Sequence, residues 1–322
     1  MKKIADPEPH ITPNRVGAAP LPDGRELGWA EYGEPDADPV LWFPGTPGAR
    51  AQLPADALEE ANARRLRVIV VERPGTGHST PHTYTSIAGF VPDVDSLTDH
   101  LGIDQFAAIG LSGGGPFVLA VAAGLGDRMT TGVVLGGIGP TRGPEVVLSY
   151  TLALVPIAAA LERVAEPLGN GLGRLIRTFA PAGRPFLDAF FWLERGDREA
   201  MAANSGHGQQ LLHDLVDAAR RSGMASPVSD LILFGRHWGF DLSEIDVPIT
   251  FWGGTSDMIV PYHHATRQAR RVADSEVRTA QGRGHFAGYT EVDEVFDVVR
   301  EHWPAVRPAA PRQKRTQAGA GR

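Results

Sequence analysis

The 322-residue sequence contains no cysteine. This absence excludes disulfide bonds, a catalytic thiolate and zinc sites with cysteine ligands. A chain without disulfides suits the reducing cytoplasm, and we expect that location. The sequence also lacks a His-Glu-x-x-His motif and any other dense group of metal ligands, so we expect no catalytic metal.

Positive charge is scarce relative to negative charge. The chain has 31 Lys and Arg residues against 38 Asp and Glu residues, a formal net charge of -7 at pH 7. Because binding to nucleic-acid phosphates requires a basic surface, we expect no nucleic-acid partner. The basic cluster at residues 312–315 lies in a polar tail, residues 304–322, which we expect to be disordered.

Long apolar runs are also missing. None reaches the ~18 uninterrupted residues of a membrane span. The nearest, Val146–Leu161, is broken by three polar residues and Pro156. We interpret it as a buried or pocket-lining helix rather than a membrane-surface element, and expect no stable membrane insertion. Residues 6–9, Asp-Pro-Glu-Pro, occupy the place where a signal peptide needs an apolar core.

Hydrophobic residues make up 42% of the chain and charged residues 21%, enough to bury a large core. Short β-branched runs alternate with helical patterns, which predicts a mostly parallel sheet with helices on both faces, an α/β fold. The predicted strands are 16–21, 26–32, 40–43, 67–71, 106–111, 131–135, 247–252 and 276–280. The predicted helices are 55–65, 93–101, 116–125, 187–193, 210–221 and 292–303.

Strand signals nearly vanish from residue 140 to residue 239, where helical stretches, prolines and glycines dominate. An insertion of this kind between strands suggests a helical cap over the sheet. The predicted organisation is an irregular segment at 1–14, a core at 15–139 and 240–303, a cap at 140–239 and the tail at 304–322.

The most informative stretch is Gly110-Leu111-Ser112-Gly113-Gly114, a G-x-S-x-G pattern between a strand and a helix. The strand stops, Ser112 makes a sharp turn with its hydroxyl exposed, and a helix begins. Gly110 and Gly114 lack a Cβ, so strand and helix can cross closely. The N–H of Gly113 points outward at the helix start, where negative charge is favoured.

A serine hydroxyl needs a base to accept its proton, and the base needs an orienting acid. Asp257 follows one predicted strand on a glycine-rich turn, and His285 follows the next. Carboxyl ends of parallel strands share one edge of the sheet, so both residues are expected beside Ser112. Asp257 as a mere helix cap, Ser112 as a helix-capping serine, or another histidine as the base are the alternatives.

With these residues in place, the chain resembles the α/β-hydrolase fold family, in its cap-bearing branch. The resemblance covers about residues 15–303. It implies a nucleophile at Ser112, an acid at Asp257 and a base at His285. It further implies an oxyanion hole from the backbone N–H groups of Thr46 and Gly113. The motifs that carry it are Gly45-Thr46-Pro47, Arg73-Pro74-Gly75-Thr76-Gly77-His78-Ser79, Gly110–Gly114, Gly254–Asp257 and Gly284-His285-Phe286.

One position departs from the family pattern. The oxyanion loop of the family usually opens with His-Gly, whereas Pro44 precedes Gly45 here. The backbone donor at Thr46 survives this change, but the hydrogen bonds that a histidine would give to the loop do not. A single oxyanion donor can be worth roughly 3 kcal/mol, so the geometry of this loop matters.

A serine rather than an aspartate at position 112 disfavours dehalogenase and epoxide hydrolase chemistry and favours acyl transfer. The expected activity is hydrolysis of an ester, lactone or amide of a small, apolar substrate through an acyl-enzyme. The alternatives are a non-catalytic ligand-binding protein, or a cofactor-free haloperoxidase or a lyase that uses the same triad. The sequence does not determine the substrate or the oligomeric state.

No cofactor is expected. Gly75-Thr76-Gly77 lacks the third glycine of a dinucleotide-binding loop, and Gly113–Gly115 is not followed by the Lys-Ser or Lys-Thr of a phosphate-binding loop. Trp192 and Trp238 are candidate substrate-binding residues in the cap. Packing of the cap against the core is the equally open interpretation of both.

Overall fold

The computed structural model describes residues 9–161, 195–221 and 225–303, together with a few isolated positions between 168 and 178. One eight-stranded sheet, in the spatial order β1-β2-β4-β3-β5-β6-β7-β8, forms its centre. The strands are β1 (Arg15–Pro20), β2 (Glu26–Tyr32), β3 (Asp38–Phe43), β4 (Leu66–Val71), β5 (Phe106–Leu111), β6 (Met129–Leu135), β7 (Ile249–Gly254) and β8 (Ser275–Ala280).

The sheet is mostly parallel, as predicted. β2 pairs antiparallel with β1 and with β4, and all other neighbours are parallel. The central strands are buried along almost their whole length, as their continuous apolar runs predict. All six strands from β3 to β8 therefore end at one edge of the sheet, and the loops after them carry the predicted site residues.

Helices cover both faces of this sheet. In chain order the α-helices of the described residues are α1 (Ala57–Ala63), α2 (Val91–His100), α3 (Gly115–Leu125), α4 (Leu154–Leu161), α5 (Arg198–Ala203), α6 (Ser205–Arg221), α7 (Ala225–Phe234), α8 (His263–Ala269), α9 (Ala287–Thr290) and α10 (Val292–Glu301). Ile69 and Val71 of β4 pack in the same buried cluster as α2 and α3, whereas Val68 and Val70 pack with α1 and α10. Alternate residues of one strand thus stabilise two separate cores.

Several predicted boundaries were wrong. The strand expected at 247–252 runs from Ile249 to Gly254, because Pro248 has no N–H to donate and only its carbonyl pairs, with Gly132 N at 2.9 Å. The helix expected at 55–65 spans only Ala57–Ala63. The short helix α8 was not predicted, and the helix expected at 187–193 lies outside the described residues.

Between β6 and β7, none of the described residues lies in a strand, and α4 to α7 occupy this part of the chain. Helix α6 docks on the core through polar side chains. Asp214 accepts hydrogen bonds from the N–H groups of Ala49 and Ala51 at 2.8 and 2.9 Å, and His207 Nδ1 accepts one from Ala55 N at 3.1 Å. Among the described residues, no helix is both long and apolar enough to cross a membrane.

Candidate active site

Ser112 sits at the turn between β5 and α3. Its φ of 51° lies in the left-handed region, which is uncommon for a residue with a side chain. A single 3₁₀ turn, Ser112–Gly114, separates the end of β5 from the start of α3. This strained backbone marks a site that the surrounding structure holds in place.

The glycines that flank Ser112 are required by close packing. A Cβ on Gly110 would lie 2.6 Å from the carbonyl oxygen of Gly114, and a Cβ on Gly114 would lie 2.1 Å from that of Phe43. Both distances are shorter than any real Cβ contact, so a side chain at either position would force the turn apart. The sequence expectation that strand and helix cross closely here matches this arrangement.

Asp257 lies in the turn after β7 and has both carboxylate oxygens engaged. Oδ1 accepts hydrogen bonds from Ile259 N and Val260 N, both at 2.8 Å. Oδ2 lies 2.8 Å from His285 Nδ1. The two backbone donors fix the orientation of the carboxylate, and this orientation directs Oδ2 at the imidazole.

His285 lies in the loop after β8, and its side chain is 3% exposed, against 1% for Asp257. Because a carboxylate can only accept, Nδ1 of the imidazole carries the proton in this hydrogen bond. In a neutral imidazole with this tautomer, Nε2 is unprotonated, which is the form that a general base needs. The structure therefore brings together the predicted acid and the predicted base, which are 28 residues apart in the chain.

The loop after β6 lies close to both His285 and Ser112. A Cβ on Gly136 would lie 3.2 Å from His285 Nδ1, and a Cβ on Gly137 would lie 3.7 Å from the carbonyl oxygen of Ser112. The two residues thus contact adjacent positions of a single tight loop. The predicted nucleophile and the predicted base therefore both lie next to Gly136-Gly137.

The predicted oxyanion loop, residues 44–48, lies against the turn that carries Ser112. A Cβ on Gly113 would lie 2.4 Å from Thr46 Oγ1, and a Cβ on Gly45 would lie 3.4 Å from Ser112 Cβ. Thr46 and Gly113, the two predicted backbone donors, are therefore immediate neighbours. Donors so placed could stabilise negative charge that develops on a substrate bound to Ser112.

Arg73 supplies hydrogen bonds to this loop. Its guanidinium donates from Nη1 to the carbonyl oxygen of Pro44 at 2.6 Å and from Nη2 to that of Gly45 at 2.7 Å. Gln52 also holds the loop, accepting from Gly45 N and donating to Pro47 O. With proline at position 44, the sequence suggested that hydrogen bonds to this loop were lost. Arg73 and Gln52 supply hydrogen bonds to the loop instead.

Asp230, on helix α7, completes this network. Its Oδ2 accepts from Arg73 Nε at 2.8 Å and from Thr46 Oγ1 at 2.7 Å. Burial raises the pKa of the Asp230 carboxyl, while the neighbouring Arg73 guanidinium opposes that shift. The ion pair is almost fully buried on both sides, so loss of one partner would leave an uncompensated charge.

The comparisons with known proteins agree with this architecture. The family model described as "alpha/beta hydrolase fold" matches residues 38–192. An esterase of a Rhodococcus species superposes with a TM-score of 0.63 at 20% identity, covering 89% of this chain and 98% of that one. A bromoperoxidase from Bacillus anthracis gives a TM-score of 0.62 at 19% identity, covering 89% and 99%. The chain has the α/β-hydrolase fold.

Sequence comparison with curated relatives is more local. A proline iminopeptidase of Arabidopsis thaliana is 30% identical over 143 residues, which cover 44% of this chain and 37% of that protein. The chain thus spans well under half the length of this relative in the match. This local similarity agrees with the α/β-hydrolase fold and assigns no substrate to the chain.

The two predicted substrate-binding tryptophans have different outcomes. Trp192 lies outside the described residues. Trp238 is 3% exposed in the larger core cluster and packs on Phe240, with ring centroids 6.0 Å apart. The described contacts of Trp238 are packing contacts within this cluster, and its contact with a substrate stays a prediction.

The sequence assigned no role to two residues that hold the candidate site, Arg73 and Asp230. Arg73 stands in a motif after β4, but its role depends on partners distant in the chain. Asp230 had a usable signal, since it is a lone carboxylate before the apolar run Leu231–Phe234. Within the described residues, no group of three or more His, Asp or Glu side chains is arranged to hold a metal ion.

Proposed function

We propose that this protein is a serine hydrolase that cleaves a carboxylic ester, lactone or amide of a small, apolar substrate through an acyl-enzyme on Ser112. The observation that carries this proposal is the 2.8 Å hydrogen bond between Asp257 and His285, formed beside a strained serine at the strand-to-helix turn. Three residue types that acyl transfer requires converge at one edge of the sheet.

In the proposed reaction, Ser112 Oγ attacks the carbonyl carbon while His285 Nε2 accepts the hydroxyl proton. Asp257 holds the imidazole in the required tautomer and stabilises the imidazolium that forms. As the tetrahedral intermediate collapses, His285 returns the proton to the leaving alcohol or amine. Water, activated by the same imidazole, then attacks the acyl-enzyme, and release of the acid restores the Ser112 hydroxyl.

The oxyanion of each tetrahedral intermediate is assigned to the backbone N–H groups of Thr46 and Gly113. Arg73 binds the carbonyl oxygens of Pro44 and Gly45. The Gly45 carbonyl belongs to the same peptide group as the N–H of Thr46, and the Pro44 carbonyl belongs to the peptide group before it. Because those carbonyls are fixed, the donor at Thr46 is held before the substrate arrives. Preorganised donors of this kind need no rearrangement as negative charge develops.

The substrate class follows from the chemistry of an activated serine, which attacks the carbonyl carbon of esters, lactones and amides. The proline iminopeptidase name of the matched relative adds N-terminal prolyl amides to the substrates to be tested. We propose residues 140–239 as the cap over this site.

Fluorophosphonate labelling of the folded protein tests the proposal, since the reagent forms a stable adduct only with an activated serine. We expect one adduct on Ser112, located by peptide mass spectrometry, and none in Ser112→Ala. A folded wild-type protein that takes up no label would contradict the proposed function.

A substrate panel then separates the remaining possibilities. It contains short-chain nitrophenyl esters, lactones and a prolyl nitroanilide, each assayed with wild type and Ser112→Ala. Turnover that disappears in Ser112→Ala supports hydrolysis and identifies the bond that is cleaved. Tight binding of a panel compound without turnover would instead identify a ligand-binding protein on this fold.

A further inference from the structure

Asp197 holds the loop that carries His285 through two hydrogen bonds. Its Oδ1 accepts a hydrogen bond from Gly284 N at 3.1 Å, and its Oδ2 accepts one from Phe286 N at 2.8 Å. The two donors are the residues immediately before and after His285. The carboxylate therefore fixes the backbone on both sides of the proposed base.

This contact comes from a distant part of the chain. Asp197 precedes α5 in the proposed cap, 87 residues before Gly284, and is completely buried. The two backbones approach so closely that a Cβ on Gly196 would lie 2.4 Å from Gly284 N. An intimate, buried contact of this kind positions the loop more firmly than a surface loop could position itself.

The charge of Asp197 bears on His285 as well as its hydrogen bonds. Burial is the largest influence on the pKa of the Asp197 carboxyl and raises it. Of the neighbouring charged groups, His285 lowers this pKa and Asp257 raises it. The nearby Arg283 is directed elsewhere, to Glu291 at 3.3 Å and Thr290 at 3.1 Å. An ionised Asp197 would thus act as a second anion, beside Asp257, on the imidazolium formed in catalysis.

We propose that Asp197 is a positioning residue for His285: it holds the base by its flanking N–H groups and adds negative charge that stabilises its protonated form. The proposal rests on the proposed function, because it assumes that His285 is the general base. It also assigns a role to the proposed cap, which would supply part of the catalytic frame in addition to covering the site.

Asp197→Asn is the main test because asparagine has nearly the same shape but no charge, and its amide nitrogen cannot accept the second N–H. Glu199→Gln is the matched control, since Glu199 is an exposed carboxylate in the first turn of α5. Each variant is first checked for folding by thermal melting. The readouts are kcat and KM for an activated ester, and the rate of fluorophosphonate labelling of Ser112 measured from about pH 5 to about pH 9.

For Asp197→Asn we expect kcat and the labelling rate to fall about tenfold with KM little changed, and Asp197→Ala to lose roughly a hundredfold, because a small misplacement of a catalytic group is costly. The acidic limb of the pH profile should move to lower pH, since loss of an anion makes the imidazolium less stable. Glu199→Gln should match wild type.

Two results would overturn the proposal: a folded Asp197→Asn that labels at the wild-type rate, or one that is slower with an unmoved acidic limb, which indicates a merely structural contact.

If Asp197→Asn does not fold, Gly196→Ala replaces it. That variant keeps the carboxylate but crowds Gly284, so a wild-type labelling rate would contradict positioning. If the folded wild-type protein takes up no label, both the proposed function and the role of Asp197 are overturned. If the wild-type protein is labelled and the Asp197 variants label equally fast, only the role of Asp197 is overturned.

Discussion

Oδ2 of Asp230 and Oγ1 of Thr46 are joined by a hydrogen bond of 2.7 Å, although the two residues are 184 positions apart. The bond connects helix α7 to the oxyanion loop, and Arg73 binds both ends of it. Helix α7 and the proposed oxyanion hole therefore form one polar unit. Changes in α7 should affect the rate of acyl transfer as well as the binding of substrate.

Replacement of Arg73 by lysine should test this unit. A lysine has one ammonium and cannot bind Pro44, Gly45 and Asp230 together, as the planar guanidinium does. We expect kcat for an ester to fall on the order of 10²-fold, the lower end of the effect of losing an oxyanion donor. Thr46→Val removes only the hydroxyl and keeps the backbone donor, and Arg73 still joins Asp230 to the loop, so kcat should fall far less than in Arg73→Lys while stability falls by about 1 kcal/mol. Equal losses of kcat in both variants would contradict the assignment.

Asp257→Asn should lower kcat by roughly 10⁴-fold with little effect on folding. The asparagine amide can donate to Nδ1, which favours the tautomer in which Nε2 carries the proton and cannot accept one from Ser112. Steady-state kinetics measure the effect. Asp246→Asn is the control, because Asp246 is an exposed carboxylate before β7, at the opposite end of that strand. Similar kinetics for the two variants would exclude Asp257 as the orienting acid.

Gly114→Ala should destabilise the protein by about 1–3 kcal/mol, since the new methyl group would have to be placed within 2.1 Å of the Phe43 carbonyl oxygen. Gly208→Ala is the opposite case. Gly208 lies in helix α6, and a Cβ there meets no atom within 4 Å, so alanine should stabilise the helix by up to about 1 kcal/mol. Urea unfolding of both variants against wild type measures these changes. A neutral Gly114→Ala would contradict the close crossing at Ser112.

Asp214 should make stability depend on pH. Complete burial raises the pKa of its carboxyl from 3.8 to about 7, even though Ala49 N and Ala51 N donate to it. The folded state therefore binds a proton more tightly than the unfolded state does. The resulting contribution to stability is fully present below about pH 4 and is lost as pH rises through about 7.

Asp214→Asn should remove this dependence. Because His207 and His264 have pKa values lowered by burial and act in the opposite direction below about pH 6.5, the useful quantity is the difference between variant and wild type. The free energy of unfolding of Asp214→Asn, minus that of wild type, should increase from pH 4 to pH 7, by at most about 4 kcal/mol. A difference that is constant across this range would contradict the raised pKa.

The central strands and the turn at Ser112 were predictable because their signals are local. β2 and β5 have the predicted bounds, and β4 begins one residue earlier than predicted. A continuous apolar run followed by glycines needs no knowledge of distant residues to be interpreted as a buried strand and a sharp turn. Short helices such as α8 carried too few turns for a periodic pattern to stand out.

The sequence by itself determined the succession of strands along the chain, the turn that bears Ser112, and the places of Asp257 and His285 after successive strands. Each of these features depends on residues that are neighbours in the chain. Only the tertiary structure showed that Asp257 binds His285, and that Arg73, Asp197 and Asp230 hold the loops around them. Those partners lie 28 to 184 positions apart. The hydrogen-bonding preferences of a buried carboxylate or guanidinium require that it have partners, but only the packing of the sheet and helices selects which ones.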